Sequence, residues 1–171
     1  GDKRALQAGT SHNLGQNFAK AFNVTFQTKQ NNEEYVWATS WGVSTRLVGA
    51  VVLTHGDEKG LRLPPKIAPI QLIIIPIIKS NNQVKKIKLY IKPIVMELKQ
   101  SGIRIFEDWT NNSPGFKFNE WEMKGVPLRM EIGYRDMDEN KVVLARRDLK
   151  EKQMVEKNDI IKITLKTLED I

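Results

Sequence analysis

Residues 7–18 concentrate small residues, hydroxyls, amides and a histidine, His12. Apolar residues at helical spacing begin at Leu14, so this stretch lies at a predicted strand-to-helix junction. Exposed donors at the start of a helix suit the close approach of a polar ligand. A capped turn without a ligand explains the same residues and is favoured on spacing alone. Ser11 and His12 are not predicted to form a nucleophilic pair, because adjacent residues rarely share a hydrogen-bonding face.

Arg46 stands near the start of a second predicted helix, for which Ser44 is a suitable N-cap. The helix dipole disfavours a cation in the first turn, so an arginine there indicates an anionic partner. Guanidinium groups clamp phosphates and stack on purines, and Gly42 lets a ligand approach the backbone. An ordinary helix start with a solvated arginine is the alternative.

Aromatic residues alternate with lysines and glutamates between residues 113 and 129. This mixture is typical of surfaces that bind unstacked single-stranded bases by stacking and by hydrogen bonds to base edges. An amphipathic helix with Phe118 and Trp121 turned inward is equally favoured by composition. The sequence leaves both interpretations open.

The composition predicts a folded chain with an anionic partner. The 171 residues are 40% hydrophobic and include 27 Lys and Arg against 20 Asp and Glu, a formal charge of +7. With no cysteine and only two histidines, we expect no disulfide and no metal site. The longest apolar stretch, residues 67–78, is interrupted by two prolines and is shorter than the ~20 residues of a membrane span. We therefore expect neither a membrane-spanning segment nor a membrane partner.

The elements that must position these residues fall on two sides of a proline-rich stretch, residues 60–69. Prolines fix φ and remove backbone donors, so we expect an extended connector there. The predicted organisation is a first region of residues 1–63, a linker of residues 64–69 and a second domain of residues 70–171. Residues 66–171 hold 20 of the basic and 15 of the acidic side chains, a balance of +5.

Hydrophobic periodicity predicts strand, helix, strand, helix in the first region, with helices over residues 14–22 and 45–53 and a strand over residues 34–41. The second domain is predicted to be small and α/β, with helices packed on a mixed sheet. Its predicted elements are strands at 70–78 and 103–109, a helix at 82–101 that Pro93 should kink or locally open, a short helix after residue 113, a hairpin of residues 128–134 and 142–147, and a helix at 158–171.

Three segments together resemble a known family: QAGTSHNLGQNFAKAF, EYVWATSWGVSTRLVGAVVLTHGDEKGLRLPPKIAPIQ and SPGFKFNEWEMKGVPLRMEIGYRD. In this order and spacing they are similar to prolyl-tRNA synthetases of the archaeal and eukaryotic type. The resemblance implies a class II aminoacyl-tRNA synthetase, which activates proline with ATP and Mg²⁺ and transfers it to tRNA(Pro). It also implies the fold class: the tail of an antiparallel-sheet catalytic domain, followed by a small α/β anticodon-binding domain with a mixed sheet and flanking helices.

The resemblance also implies roles for individual residues. Arg46 and His12 match catalytic positions, and Gln7, Thr10 and Arg46 match contacts to ATP. His12, Ser40, Trp41 and Gly42 match the proline pocket. The tRNA anticodon would be contacted by Lys117, Glu120, Glu122, Lys124, Arg129 and Arg135. No metal ligand is implied within the chain.

The chain also departs from the family's pattern. The segments known as motifs 1 and 2 would precede Gly1, and a C-terminal domain that binds zinc in some members would follow Ile171. We therefore expect the fragment alone not to aminoacylate, and we expect the full enzyme to be a cytoplasmic homodimer that binds no DNA. Tyr134 stands where the family commonly has proline. The alternatives are a non-catalytic tRNA- or RNA-binding module and a protein-interaction domain within a synthetase complex.

Overall fold

A computed structural model describes residues 5–149 and 151–171 of the chain. The chain divides into two compact units between Thr54 and His55. The residues predicted as a linker, 64–69, lie inside the second unit and make a turn in which Pro64 accepts hydrogen bonds from the Ile67 and Ala68 amides. Among the described residues, no helix has both the length and the apolar content to cross a membrane.

The first unit is built around an antiparallel pair of strands, β1 (Gly9–Gly15) and β4 (Ala38–Val43). Between them come α1 (Asn17–Phe22), β2 (Thr25–Gln27) and β3 (Glu33–Tyr35), and β2 pairs with β3. Helix α2 (Arg46–His55) follows β4.

Two predictions for the first unit need correction. The predicted helix over residues 14–22 begins only at Asn17, because the preceding residues pair with β4. The predicted strand over residues 34–41 is two strands with different partners, β3 and β4. In both cases backbone pairing between distant segments overrides the local pattern.

The second unit contains a mixed sheet of five strands in the order β11-β10-β9-β7-β8. Strand β7 (Leu72–Ile77) is parallel to β8 (Ile105–Glu107) and β9 (Leu128–Gly133), and the β9–β10–β11 pairings are antiparallel. The remaining elements are β5 (Gly56–Asp57), β6 (Gly60–Leu61), α3 (Asn81–Gln100), α4 (Pro114–Met123), α5 (Tyr134–Asp138), β10 (Lys141–Arg146), β11 (Lys152–Glu156) and α6 (Ile160–Asp170). The predicted mixed α/β class is confirmed.

Strand β7 is the centre of the core. Leu72 and Ile74 pack with α3 and α6 on one side of the sheet, the α3 face, while Ile73 and Ile75 pack with Trp121 of α4 on the other, the α4 face. The uninterrupted apolar run predicted a strand covered on both sides, and this is what its burial shows. Helix α3 runs as one helix through Pro93.

The polar stretch that was predicted to close a hairpin contains a short helix, α5. The predicted antiparallel pairing of β9 with β10 is confirmed, but the Asp136 carboxylate accepts a hydrogen bond of 2.6 Å from the Gly133 amide and begins α5 there. Strand β11 was not predicted. It is an edge strand with Val155 as its one buried residue, so its apolar alternation is too weak to detect.

A buried ion pair joins β8 to α4. Asp108 and Lys117 are 2% and 3% exposed, and the Lys117 Nζ donates to the Asp108 carbonyl at 2.9 Å and lies 3.5 Å from its carboxylate. The carboxylate also accepts hydrogen bonds from the Thr110 amide and hydroxyl and from the Trp121 indole. Burial alone would raise the pKa of Asp108, but these hydrogen bonds and the Lys117 ammonium hold it below its usual value.

The hairpin of β5 and β6 packs closely against the end of α4. Gly60 has a φ of +125°, and a Cβ there would overlap the backbone of Met123. Asp57, in the same hairpin, forms a two-pronged ion pair with the buried Arg147 at 2.9 and 2.6 Å, which holds the pKa of Asp57 well below its usual range.

We predict that Gly60→Ala destabilises the chain by about 3 kcal/mol, because it adds overlap with Met123 to an unfavourable backbone conformation. The matched control is Gly102→Ala, since Gly102 also has a positive φ, +82°, but has open space around it. The control should lose only about 1 kcal/mol. Urea denaturation measures both, and equal losses would contradict the packing argument.

We predict that Lys117→Met lowers the free energy of unfolding by about 3 kcal/mol at neutral pH, because it leaves a buried carboxylate without its cation.

The ionisation of Asp108 can be tested through the pH dependence of stability. In wild type, a carboxyl with a lowered folded pKa stabilises the fold above its unfolded pKa and loses this contribution as the pH falls through the folded pKa. The difference in the free energy of unfolding between wild type and Asp108→Asn should therefore be constant at neutral pH and narrow as the pH falls below about 5. A difference that stays constant as the pH falls would show that Asp108 is not ionised in the fold.

Candidate functional sites

The register of β1 and β4 sorts the predicted residues of the first unit by face. Thr10 lies opposite Gly42, His12 opposite Ser40, and Ser11 opposite Trp41. Because opposed residues share a face and successive residues alternate, Thr10, His12 and Ser40 point to one side of the strand pair and Trp41 to the other.

A pocket of about 220 Å³, the first-unit pocket, contains four of the predicted residues. Its lining residues are Gln7, Ala8, Gly9, Thr10, Gly42, Val43, Ser44 and Arg46. A Cβ on residue 42 would lie 3.0 Å from the Thr10 hydroxyl, so glycine leaves this hydroxyl close to the backbone. His12, Ser40 and Trp41 are not part of the lining.

Arg46 is the charged side chain of the first-unit pocket. Its Nη1 donates to the Gln7 side-chain oxygen at 3.1 Å and to the Gln7 carbonyl at 3.4 Å. Arg46 is the first residue of α2, and the first turn of α2 has no acidic residue. The guanidinium and the positive end of the helix therefore act with the same sign, which suits a phosphate or another anion.

The α4 face of the second unit carries a charged cluster around Arg129. Its guanidinium donates to Glu131 at 3.0 Å and to Glu122 at 3.3 Å, and Glu131 also accepts from Lys152 at 3.0 Å. The Phe118 ring lies beneath both cations, with its centroid 4.2 Å from Arg129 and 5.3 Å from Lys152. We call these five residues the α4-face cluster. Its cations and carboxylates can form hydrogen bonds with base edges, and its aromatic ring can stack on a base.

The other predicted anticodon contacts are spread around this cluster. Lys124 pairs with Glu120 at 2.7 Å on the exposed side of α4 and lies 4.3 Å from the centroid of the Trp121 ring system. Lys117 is buried under α4 in its pair with Asp108. Arg135 is exposed on α5, beyond the end of β9.

Sequence reasoning missed two members of the cluster, Glu131 and Lys152. Glu131 is two residues after Arg129 on β9, and strand periodicity would have placed both on one face. Lys152 lies on β11, the strand that was not predicted, so no local signal pointed to it.

A second cavity, the edge pocket, lies at the carboxyl ends of β7 and β8 and has a volume of about 300 Å³. The chain leaves β7 through α3 towards β8 and returns through α4 to β9, so the crossovers diverge at this edge, the usual ligand position in open α/β sheets. Its lining is polar and without carboxylates, and includes Lys79, Lys88, Lys117, Trp109, Asn111 and Asn112. Sequence reasoning missed this pocket, because it depends on the strand order.

Metal-binding side chains are not gathered in the part of the chain that the structure describes. No group of three or more His, Cys, Asp or Glu residues is positioned there to hold an ion. The two pockets offer a ligand cations, amides and hydroxyls, and the α4-face cluster also offers carboxylates and an aromatic ring.

Comparison with known proteins agrees with the resemblance found in the sequence. Proteins named proline–tRNA ligase from Cytophaga hutchinsonii, Bacteroides fragilis and Chlorobium phaeobacteroides are 53%, 52% and 51% identical to the chain. Each alignment covers 99% of this chain but 35%, 34% and 35% of the relative, so the chain spans about a third of the length of the curated relatives it matches. The predicted similarity to prolyl-tRNA synthetases is confirmed.

The family profile described as the anticodon binding domain matches residues 71–167, which is more than half of the chain and most of the second unit. These residues contain the whole mixed sheet with α3, α4 and α5. The chain therefore belongs to the anticodon binding domain family.

Proposed function

We propose that the chain is part of a proline–tRNA ligase, in which the first unit contributes to the site for ATP and proline and the second binds the anticodon of tRNA(Pro). The observation that carries this proposal is the first-unit pocket, where Gln7, Thr10, Gly42 and Arg46 meet. The resemblance assigned these residues to ATP and proline without any knowledge of their positions. Their convergence supports the ligase over a non-catalytic RNA-binding module, which needs no contacts to ATP.

The proposed reaction has two steps. A carboxylate oxygen of proline attacks the α-phosphorus of ATP and pyrophosphate leaves, which gives prolyl-adenylate. The terminal hydroxyl of tRNA(Pro) then attacks the prolyl carbonyl carbon and AMP leaves. Neither step requires a side-chain nucleophile, so the protein accelerates them by positioning the reactants and stabilising phosphate charge. Arg46 is the proposed catalytic cation, and Gln7 orients it through the 3.1 Å hydrogen bond.

His12 and Ser40 are proposed to contact proline from one face of the β1–β4 pair. They lie opposite each other in the register and on the same face as Thr10, so a ligand on this face can reach both. Trp41 faces the other side and is 76% exposed. It is the proposed proline contact that the strand geometry supports least.

Mg²⁺ is expected to accompany ATP in the whole enzyme, but the first-unit pocket does not offer a binding set for it. Mg²⁺ usually binds proteins through one or two carboxylates together with substrate phosphates, and no carboxylate lines this pocket. The roles proposed for Arg46, Gln7 and Thr10 do not depend on the ion.

The α4-face cluster is proposed to read anticodon bases, with Lys124 and Glu120 beside it. Arg129 presents a planar fork of donors, Glu122 and Glu131 present acceptors, and Phe118 provides a ring on which a base can stack. Lys117 is among the residues that line the edge pocket and is proposed to act from there. Arg135 is proposed to contact the RNA backbone. The full enzyme is further proposed to be a cytoplasmic homodimer, with the remaining segments of the catalytic domain outside this chain.

We predict that Arg46→Ala, made in a full-length ligase that contains this chain, slows ATP–pyrophosphate exchange about 10²- to 10³-fold, as for other groups that stabilise transition-state charge. Arg46→Lys should restore only part of the rate, because it keeps the charge and loses the planar fork. Lys20→Ala, which removes an exposed cation from α1 of the same unit, is the control and should exchange at the wild-type rate. Exchange at near wild-type rate in Arg46→Ala would refute the assignment.

We predict that Glu122→Gln and Arg129→Lys each reduce the preference for a proline anticodon about tenfold or more, because one base-edge contact is worth about 1–3 kcal/mol. Fluorescence anisotropy of the 171-residue chain with two RNA hairpins, one with the proline anticodon loop and one with that loop scrambled, gives the ratio of affinities. Lys141→Ala removes a half-buried cation that pairs with Glu139 rather than with a residue of the cluster, and should leave the ratio unchanged. Equal binding of both hairpins by the wild type would disprove the anticodon role.

A further inference from the structure

Helix α3 carries a row of lysines on its exposed side. Lys85, Lys88, Lys92 and Lys99 are all exposed. At 3.6 residues per turn they fall within about 60° of one another around the helix axis and extend over about 21 Å along it. We call these four residues the α3 lysine stripe. The only acidic residue of α3, Glu97, lies on the other side of the exposed arc, roughly 150° from the centre of the stripe.

The charges of the stripe differ from those of the α4-face cluster, whose cations are each paired with a carboxylate. Within the described residues 5–149 and 151–171, none of its four ammonium groups forms an ion pair, whereas Arg129, Lys124, Lys152 and Arg147 all do. The Lys88 Nζ lies 4.8 Å from the centroid of the Trp109 ring system.

The arrangement is unfavourable for the isolated helix. Like charges three and four residues apart repel, as do Lys85 with Lys88 and Lys88 with Lys92. The first turn of α3 has no acidic residue that would offset these charges. The row of like charges therefore forms one region of positive potential.

This region is continuous with the edge pocket, because Lys88 belongs to both and Lys79 lines the pocket beside the start of α3. The stripe and the pocket together form a positive track that runs from the carboxyl edge of the sheet along the outside of α3. It lies on the α3 side of the sheet, whereas the α4-face cluster lies on the other side.

We propose that the α3 lysine stripe binds the phosphate backbone of RNA without regard to its sequence, as a second RNA contact separate from the α4-face cluster. Flexible ammonium groups in a row match phosphates, which offer charge at regular intervals and no base-specific pattern. The inference rests on the proposal that the chain binds RNA. It assigns salt-dependent affinity to the stripe and discrimination between bases to the cluster.

The test compares the 171-residue chain with its Lys85→Ala/Lys92→Ala/Lys99→Ala variant, which leaves Lys88 in the edge pocket. Each lost phosphate contact should lower the slope of log affinity against log salt by about 0.7 to 0.9, so the triple variant should lose about 2 to 3. Its affinity for the RNA hairpins should fall about tenfold or more at low salt, with the ratio between proline and scrambled loops unchanged. Alanine is a strong helix former, so circular dichroism and thermal stability should not be lowered.

Two controls separate the stripe from general charge and from its neighbours. Lys162→Ala/Lys166→Ala removes two exposed lysines from α6, and its salt slope should stay near the wild-type value. Leu89→Gln changes a 72% exposed apolar residue beside the stripe and should bind RNA like the wild type.

The outcomes distinguish this inference from the proposed function. A wild-type chain that binds neither hairpin overturns both. A wild type that prefers the proline loop, with a triple variant of unchanged salt slope, overturns the stripe alone. Loss of binding to a polyglutamate peptide by the triple variant, without any change in RNA affinity, would assign the stripe to an acidic protein partner and refute the RNA contact.

Discussion

The buried carboxylate of Asp108 connects the elements on which the second unit's binding surfaces depend. It ends β8, caps the turn through Thr110, and holds α4 through Trp121 and Lys117. The turn forms one wall of the edge pocket, and α4 carries Phe118 and Glu122. A single ionised carboxylate, which accepts hydrogen bonds from several donors, therefore fixes both surfaces relative to the sheet. Such a network stabilises the fold only when every member is satisfied, which makes it sensitive to the loss of any one partner.

The charges of the second unit are of two physical kinds. In the α4-face cluster Arg129 lies between Glu122 and Glu131, and Lys152 pairs with Glu131, so the cations and carboxylates largely neutralise each other. A ligand gains affinity there only if it replaces these pairings with equally good hydrogen bonds. This requirement lets the cluster discriminate between bases. Among the described residues, the lysines of the stripe on α3 have no such pairs, so contact with any phosphate adds affinity there. The net charge of +5 over residues 66–171 therefore understates how strongly the positive potential is concentrated on α3.

Sequence reasoning succeeded where one local pattern determined the outcome. The uninterrupted apolar run of β7 and the three-and-four spacing of α3 were sufficient to predict both elements. Ser44, two residues before α2, and the apolar run after it predicted the start of that helix. The anionic partner inferred for Arg46 stays a prediction, and the structure adds its contact with Gln7. Pairing between distant segments was not predictable, because nothing near Gly9 indicates that its partner is Val43. The edge pocket and the burial of Lys117 could not be predicted for the same reason, since both follow from strand order.

The distribution of burial separates the two units. In the described part of the first unit, Ala19 is the only buried hydrophobic residue, and Phe22, Trp37, Trp41 and Leu53 are each more than 70% exposed. The second unit has a continuous core on both faces of β7. At roughly 25 cal/mol per Å² of buried apolar surface, the second unit gains most of the hydrophobic stabilisation. The first-unit pocket is consequently held by the β1–β4 hydrogen bonds and by the Arg46–Gln7 contact more than by a core. A bound ligand, or further packing against the exposed aromatic residues, should therefore stabilise one conformation of this pocket.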